Sequence, residues 1–168
     1  MLVLATGCGP SESSQVESTQ STDTTSEQQR SAETLDRRTR TYIVQMNRCR
    51  RSIIALVGVM LATPSDEIEL ARKGIPARNV CRRTRNALDS VETAGFASEA
   101  NAVRLGLDRL IVGLAALLNY LDTKRPTTFV QAERKTLNGA AVTTRGLRQI
   151  NRTREAAGLE MIPLAGTQ

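Results

Sequence analysis

Val103-Arg104-Leu105-Gly106-Leu107-Asp108-Arg109-Leu110-Ile111-Val112-Gly113-Leu114-Ala115-Ala116-Leu117-Leu118-Asn119-Tyr120-Leu121 is the stretch that decides the fold. Val103, Leu107, Leu110, Leu114, Leu117 and Leu121 recur at alternating steps of four and three, which lines apolar side chains along one face of an α-helix. A half-buried strand would alternate at every second residue. The helix is expected from about Ser98 to Asp122, and a seam of that length needs partners.

The same periodicity supplies them. From about Ala32 to Ala62, Leu35, Tyr42, Met46, Cys49, Ile53, Leu56 and Met60 keep the spacing, with Thr39 in one weak slot. From about Thr128 to Ala157 a weaker seam runs through Phe129, Ala132, Thr136, Ala140, Thr143, Leu147 and Ile150. Between them, Thr63-Pro64-Ser65-Asp66 reads as a helix start, with Thr63 as N-cap and Pro64 at the first helical position. Ala77, Cys81, Thr84, Leu88 and Val91 continue that helix to a stop at Gly95. Gly74 and Pro76 interrupt it, and Pro76 is expected to kink or break it before Ala77. Short connections make consecutive helices antiparallel, so the expected fold class is all-α, an antiparallel four-helix bundle over residues 35–160 with a C-terminal tail over 161–168. Periodicity does not separate a monomeric bundle from a dimer of hairpins.

Composition agrees with helices. The chain is 40% hydrophobic but 2% aromatic, with no Trp and no His, so Leu, Ile, Val and Ala must build the core. Gly106 and Gly113, like Gly139 and Gly146, stand seven residues apart. Either they let two helix backbones approach closely, or they are tolerated at about 1 kcal/mol each. The runs Ile53 to Ala62 and Leu110 to Leu118 fall short of the ~20 residues that span a bilayer and read as core.

Charge is unevenly distributed. Glu12, Glu17, Asp23, Glu27 and Glu33 outweigh Arg30 in residues 1–34, so of the chain's net +6 the remainder carries +10. All of its basic residues except Lys73, Lys124 and Lys135 are Arg. Such a domain invites anionic partners: phospholipid headgroups, cell-envelope polyanions or nucleic acid. An Arg-rich solvated surface without a dedicated partner is the other reading.

Near the N-terminus, Leu4-Ala5-Thr6-Gly7-Cys8 resembles the lipobox of bacterial lipoproteins. The resemblance covers these residues and the polar stretch after them. It implies that Cys8 carries a diacylglyceryl group, that residues 1–8 are the remainder of a signal, and that the protein is extracytoplasmic and lipid-anchored to the cell membrane. Residues 9–34 hold almost no large apolar side chain beyond Val16, and are expected to form a disordered tether. A flexible chain of that length would hold the domain about 30 Å from the anchor.

Cys49 and Cys81 each lie some 16 residues from a turn at Pro64-Ser65, about 24 Å along either helix. Both occupy seam positions, so a disulfide is expected; two buried free thiols are the alternative. Around them stand similar segments, Asn47-Arg48-Cys49-Arg50-Arg51-Ser52-Ile53-Ile54-Ala55-Leu56 and Asn79-Val80-Cys81-Arg82-Arg83-Thr84-Arg85-Asn86-Ala87-Leu88, identical at six of ten positions. In an antiparallel hairpin a local two-fold axis would relate them, placing Arg50 and Arg82 on one side. With Arg48, Arg51, Arg78, Arg83 and Arg85 they would form a cationic belt, read either as an anion site or as a solvated face paired with Asp89, Glu92 or the tail.

Little else carries chemistry. Without His there is no Ser/His or Cys/His pair, and with one bridged cysteine pair no zinc set can be assembled. Asp66, Glu67 and Glu69 form the one close acid cluster, at a helix N-terminus where negative charge is favoured, and read as capping. The sequence therefore points to no enzyme, cofactor or metal. It points to an envelope lipoprotein whose bundle binds or scaffolds an envelope polyanion or protein partner. The alternative is a soluble basic helical protein binding nucleic acid, for which aromatic interleaving and a recognition helix are missing.

Overall fold

The computed structural model describes residues 20–166, with side chains from residue 26 onward. Cys8, the residual signal over 1–8, residues 9–19 of the expected tether and residues 167–168 lie outside the described residues. Four helices follow in order: α1 (Gln20–Ala62), α2 (Glu67–Asp89), α3 (Ala97–Thr123) and α4 (Pro126–Ala156). Short connections fold them antiparallel, and α1 packs on α2, α2 on α3, α3 on α4 and α4 back on α1. The expected four-helix bundle is the architecture observed.

Its core is the set of seams read from the sequence. Tyr42, Met46, Cys49, Ile53, Leu56 and Met60 of α1 and Val103, Leu107, Leu110, Leu114 and Leu117 of α3 are buried in one apolar core. Thr39 fits the weak slot because its hydroxyl donates back to the Leu35 carbonyl at 2.7 Å. Only one face of each apolar run is core: Ile53, Leu56 and Met60, and Leu110, Leu114 and Leu117, are buried, whereas Ile54, Leu61 and Val112 are exposed. No helix among the described residues is long and apolar enough to cross a membrane.

Three boundaries differ from expectation. Helix α1 begins at Gln20, so residues 20–34 of the expected tether are helical. Side chains from Glu27 to Ser31 are exposed, and the extension needs no core. Once the buried seam fixes the helix, each further residue adds a hydrogen bond without a new nucleation cost. The N-cap of α2 is Asp66, whose carboxylate accepts from the Glu69 amide at 2.9 Å, whereas Thr63 closes α1 through a bond to the Val59 carbonyl. Helix α2 ends at Asp89, short of Gly95, which adopts φ +92° in the loop to α3.

Pro76 does not break α2. Its ring is exposed, while Leu70 and Gly74 before it and Ala77 and Cys81 after it are buried. Packing on both sides of the proline holds the helix across the missing N–H.

The glycines settle as close-approach positions. A Cβ on Gly106 would stand 2.6 Å from the Thr143 amide nitrogen, one on Gly113 2.6 Å from that of Thr136, and one on Gly139 2.6 Å from that of Leu110. On Gly146 it would meet Val103 Cγ2 at 2.7 Å. Only hydrogen fits between α3 and α4 at these points.

The end of the chain closes the fold. After α4, Gly158 turns the backbone at φ +72°, and the following residues run along the α1 and α4 flank with Ile162 and Leu164 buried. Asn151 holds this segment with both ends of its amide, donating to the Ile162 carbonyl at 2.8 Å and accepting from the Ile162 amide at 3.0 Å. Arg154 is fully buried beneath it. Its guanidinium donates to the Glu160 carbonyl at 2.9 Å, the Thr39 hydroxyl at 2.6 Å and the Asp36 carboxylate at 2.5 Å.

Candidate functional site

Cys49 and Cys81 form a disulfide with their Cα atoms 4.7 Å apart, both side chains buried. The bridge fixes the register of α1 against α2 and places the two similar segments about a local two-fold axis. Of paired positions, Cys49 and Cys81 are both buried, as are Leu56 and Leu88, while Arg51 and Arg83 are both exposed.

The seven arginines of the expected belt do not act as one group. Arg50 turns toward α4: its Nε and Nη2 donate to the Ala165 carbonyl at 3.1 and 2.7 Å, and its Nη1 to the Thr144 hydroxyl at 2.5 Å. Burial lowers its pKa, and the charge of Arg148 lowers it further. Arg85 is spent on carboxylates, bonding Asp89 through Nη1 and Asp108 through Nε at 2.9 Å. The hydrogen bond to Asp89 is the main cause of its raised pKa. Arg78 is half-buried, with its Nε lacking a hydrogen-bond partner among the described residues, and does not line the cleft that Arg48, Arg51 and Arg83 share.

Four arginines remain exposed: Arg48, Arg51, Arg82 and Arg83. Arg48, Arg51 and Arg83 line a cleft of about 630 Å³ between α1 and α2, floored by Ser52 and Thr84. Arg48 reaches only the Gln45 side chain at 3.4 Å and Arg51 only the Asn47 carbonyl at 3.4 Å, and none of the four meets a carboxylate among the described residues. Arg82 lies in an adjoining cleft of about 360 Å³ with Asn79, Arg83 and Asn86.

The expected placement of Arg50 and Arg82 on one side of the hairpin does not hold: Arg50 faces α4 and the C-terminal segment, while Arg82 stays on the open surface of α2. A two-fold axis running between the helices keeps their common face common but sends their outer flanks to opposite sides, and positions 50 and 82 are flank positions.

The acid cluster is structural. Asp66 caps α2, Glu67 pairs with Lys124, and Glu69 pairs with Arg72 at 2.5 Å, which holds its carboxyl below the ordinary range. A third cleft of about 570 Å³ on the outer face of α3 and α4 mixes Asp108 with Arg109, Arg134 and Lys135. It offers no one-signed field.

Sequence reading missed Asn47, Asn151 and Arg154. The signal for Arg154 was present, since it continues the step of three and four after Leu147 and Ile150. Comparison with family models, with curated proteins and with solved structures found no match.

Proposed function

We propose that this chain is a cell-envelope lipoprotein, anchored through Cys8, whose bundle binds an anionic envelope polymer in the cleft between α1 and α2. The observation that carries the binding reading is the set of three cleft arginines, Arg48, Arg51 and Arg83, without a carboxylate partner among the described residues. Guanidinium forks match phosphate and carboxylate in bidentate fashion and keep their charge at any physiological pH. Unpaired and exposed, these groups sit ready for such a ligand. The net +10 of residues 35–168 adds a long-range field of the same sign. The Cys49–Cys81 bridge favours an oxidising compartment, in keeping with export.

Titration of the oxidised protein with poly(glycerol phosphate) at low and physiological salt tests the site. The Arg48→Gln, Arg51→Gln, Arg83→Gln variant should lose at least about tenfold in affinity, or about 1.4 kcal/mol. Arg109→Gln with Arg134→Gln, which removes the same kind of charge from α3 and α4, should lose far less. Equal losses would reduce the interaction to bulk charge and remove the site. Tighter binding to duplex DNA than to the polymer would turn the reading to nucleic acid. Anchoring is read separately, from the mass of the chain recovered from its host membrane: a species beginning at acylated Cys8 supports it, an unmodified Cys8 removes it.

A further inference from the structure

The outer flank of α1 is a peptide-binding surface already in use, and α2 carries a copy of it. On α1, Asn47 stands two residues before Cys49 and Arg50 one after it. Asn47 donates to the Pro163 carbonyl at 2.9 Å and accepts from the Ala165 amide at 2.9 Å, and Arg50 donates twice to the Ala165 carbonyl. These bonds take the carbonyl of one residue and both backbone groups of the residue two further on. That is the pattern of an extended strand, in which alternate residues face the same way.

On α2, Asn79 stands two residues before Cys81 and Arg82 one after it. The bridge and the antiparallel packing put this pair in the position that Asn47 and Arg50 hold on the other flank. Their exposure differs. Asn47 and Arg50 are half-buried under the C-terminal segment, whereas Asn79 and Arg82 are exposed and border an open cleft. Neither makes a side-chain hydrogen bond among the described residues, whereas their counterparts hold residues 163–165.

We propose that the α2 flank binds an extended, acidic peptide segment of a partner protein, with Asn79 and Arg82 reading its backbone as Asn47 and Arg50 read residues 163–165. The Asn79 amide takes the carbonyl of peptide residue n and the amide of residue n+2, and the Arg82 fork takes the carbonyl of n+2. A proline at n, as at Pro163, leaves no N–H behind. Charge selects the rest of the segment. Arg83 lies beside the site without a carboxylate and fits an acidic side chain, and Asn86 replaces the apolar Ile54 that underlies Gly166 on α1, so the residue beyond n+2 is polar. The site shares Arg83 with the polymer cleft but differs in ligand class, and the Asn79 and Arg82 contacts that carry it stand without that reading.

The test uses the full oxidised chain and an acetylated synthetic peptide with the sequence of residues 160–165 followed by two aspartates, so that an aspartate stands beyond n+2. Calorimetry should show saturable binding, and NMR should place the shift changes on the Asn79 and Asn86 side-chain amides. Asn79→Leu and Arg82→Gln should each lower affinity by about tenfold, the size expected for losing hydrogen bonds of which one donor is charged, with helix content unchanged. Arg48→Gln with Arg51→Gln, which removes the two polymer-cleft arginines that the peptide site does not share, should leave the affinity within about twofold. Absence of saturable binding at millimolar peptide overturns the proposal. So do shift changes at Asn47 and Asn151, which would mean that the peptide only exchanges with the chain's own C-terminal segment, and so does an equal loss in the Arg48/Arg51 variant, which would mean general charge attraction.

Discussion

Arg154 on the last turns of α4 and Asp36 on α1 form an ion pair at 2.5 Å in which the guanidinium is wholly buried and the carboxylate keeps partial access to water. Removing one partner of such a pair strands the other. Asp36→Asn should therefore lower stability by about 3 kcal/mol, the low end for breaking a buried pair because Asp36 is not itself fully enclosed. Arg154→Met, which removes the charge with a side chain of similar length, should cost less than Asp36→Asn. Urea melts of the three proteins check the order.

Asp36 also sets an acid limit. The hydrogen bond from Arg154 holds its carboxyl below the ordinary value, so the unfolded chain binds the proton more readily. Its contribution is fully present above the unfolded value near 4, and is lost as pH falls through the folded one. At the alkaline end, burial of Tyr42 raises its phenol from 10.0 to about 12, so that contribution is present below pH 10 and lost as pH rises toward about 12. Melting temperature against pH should fall on both sides, and Asp36→Asn should flatten the acid limb alone.

Reduction of the Cys49–Cys81 bridge frees a loop with a sequence separation of 32. In the chain-entropy account that loop is worth about 3–4 kcal/mol. The Cys49→Ala, Cys81→Ala protein should melt at correspondingly lower denaturant with its helical circular dichroism intact. A molecule that keeps its stability when reduced would show that interhelical packing alone sets the hairpin.

Glycine positions predict opposite signs for one chemical change. Gly139→Ala places a methyl against the Leu110 backbone, which cannot yield, and should cost about 1–3 kcal/mol as overpacking. Gly58→Ala on α1 meets nothing within 4 Å and should gain about 0.5–1 kcal/mol from helix propensity. Thermal melts of the two single variants decide it.

The C-terminal segment contributes to stability as well. Leu164→Ala should cost about 2–3 kcal/mol, as for a buried aliphatic that solvent can partly reach once truncated. Asn151→Ala leaves both backbone groups of Ile162 without their partner and should cost about 1–3 kcal/mol.

Much of this was legible because it repeats. Leu107, Leu110, Leu114 and Leu117 announce their face by spacing, and Cys49 and Cys81 announce their meeting by equal distance from a turn. Gly106 and Gly139 were visible as a stripe, but whether the stripe packed or was merely tolerated needed the other helix. Arg154 was hidden by its type: a guanidinium on an apolar seam reads as a surface residue until Asp36 and Thr39, far upstream, are seen beside it. Division of the arginine belt was hidden for a related reason. Arg50 and Arg82 occupy matching places in matching segments, and only the path of residues 160–166 makes one engaged and the other open.

The Arg154–Asp36 pair joins positions separated by 118 residues, close to the two ends of the bundle. A growing chain that has made α1 through α3 carries Asp36, Thr39 and Asn47 without their partners from α4 and residues 163–165, which come later in the sequence. The flank of α1 therefore latches only once α4 and the segment after it are present. Any process that acts on a partly synthesised chain meets three helices of a bundle still open along the flank that α4 and residues 158–166 close.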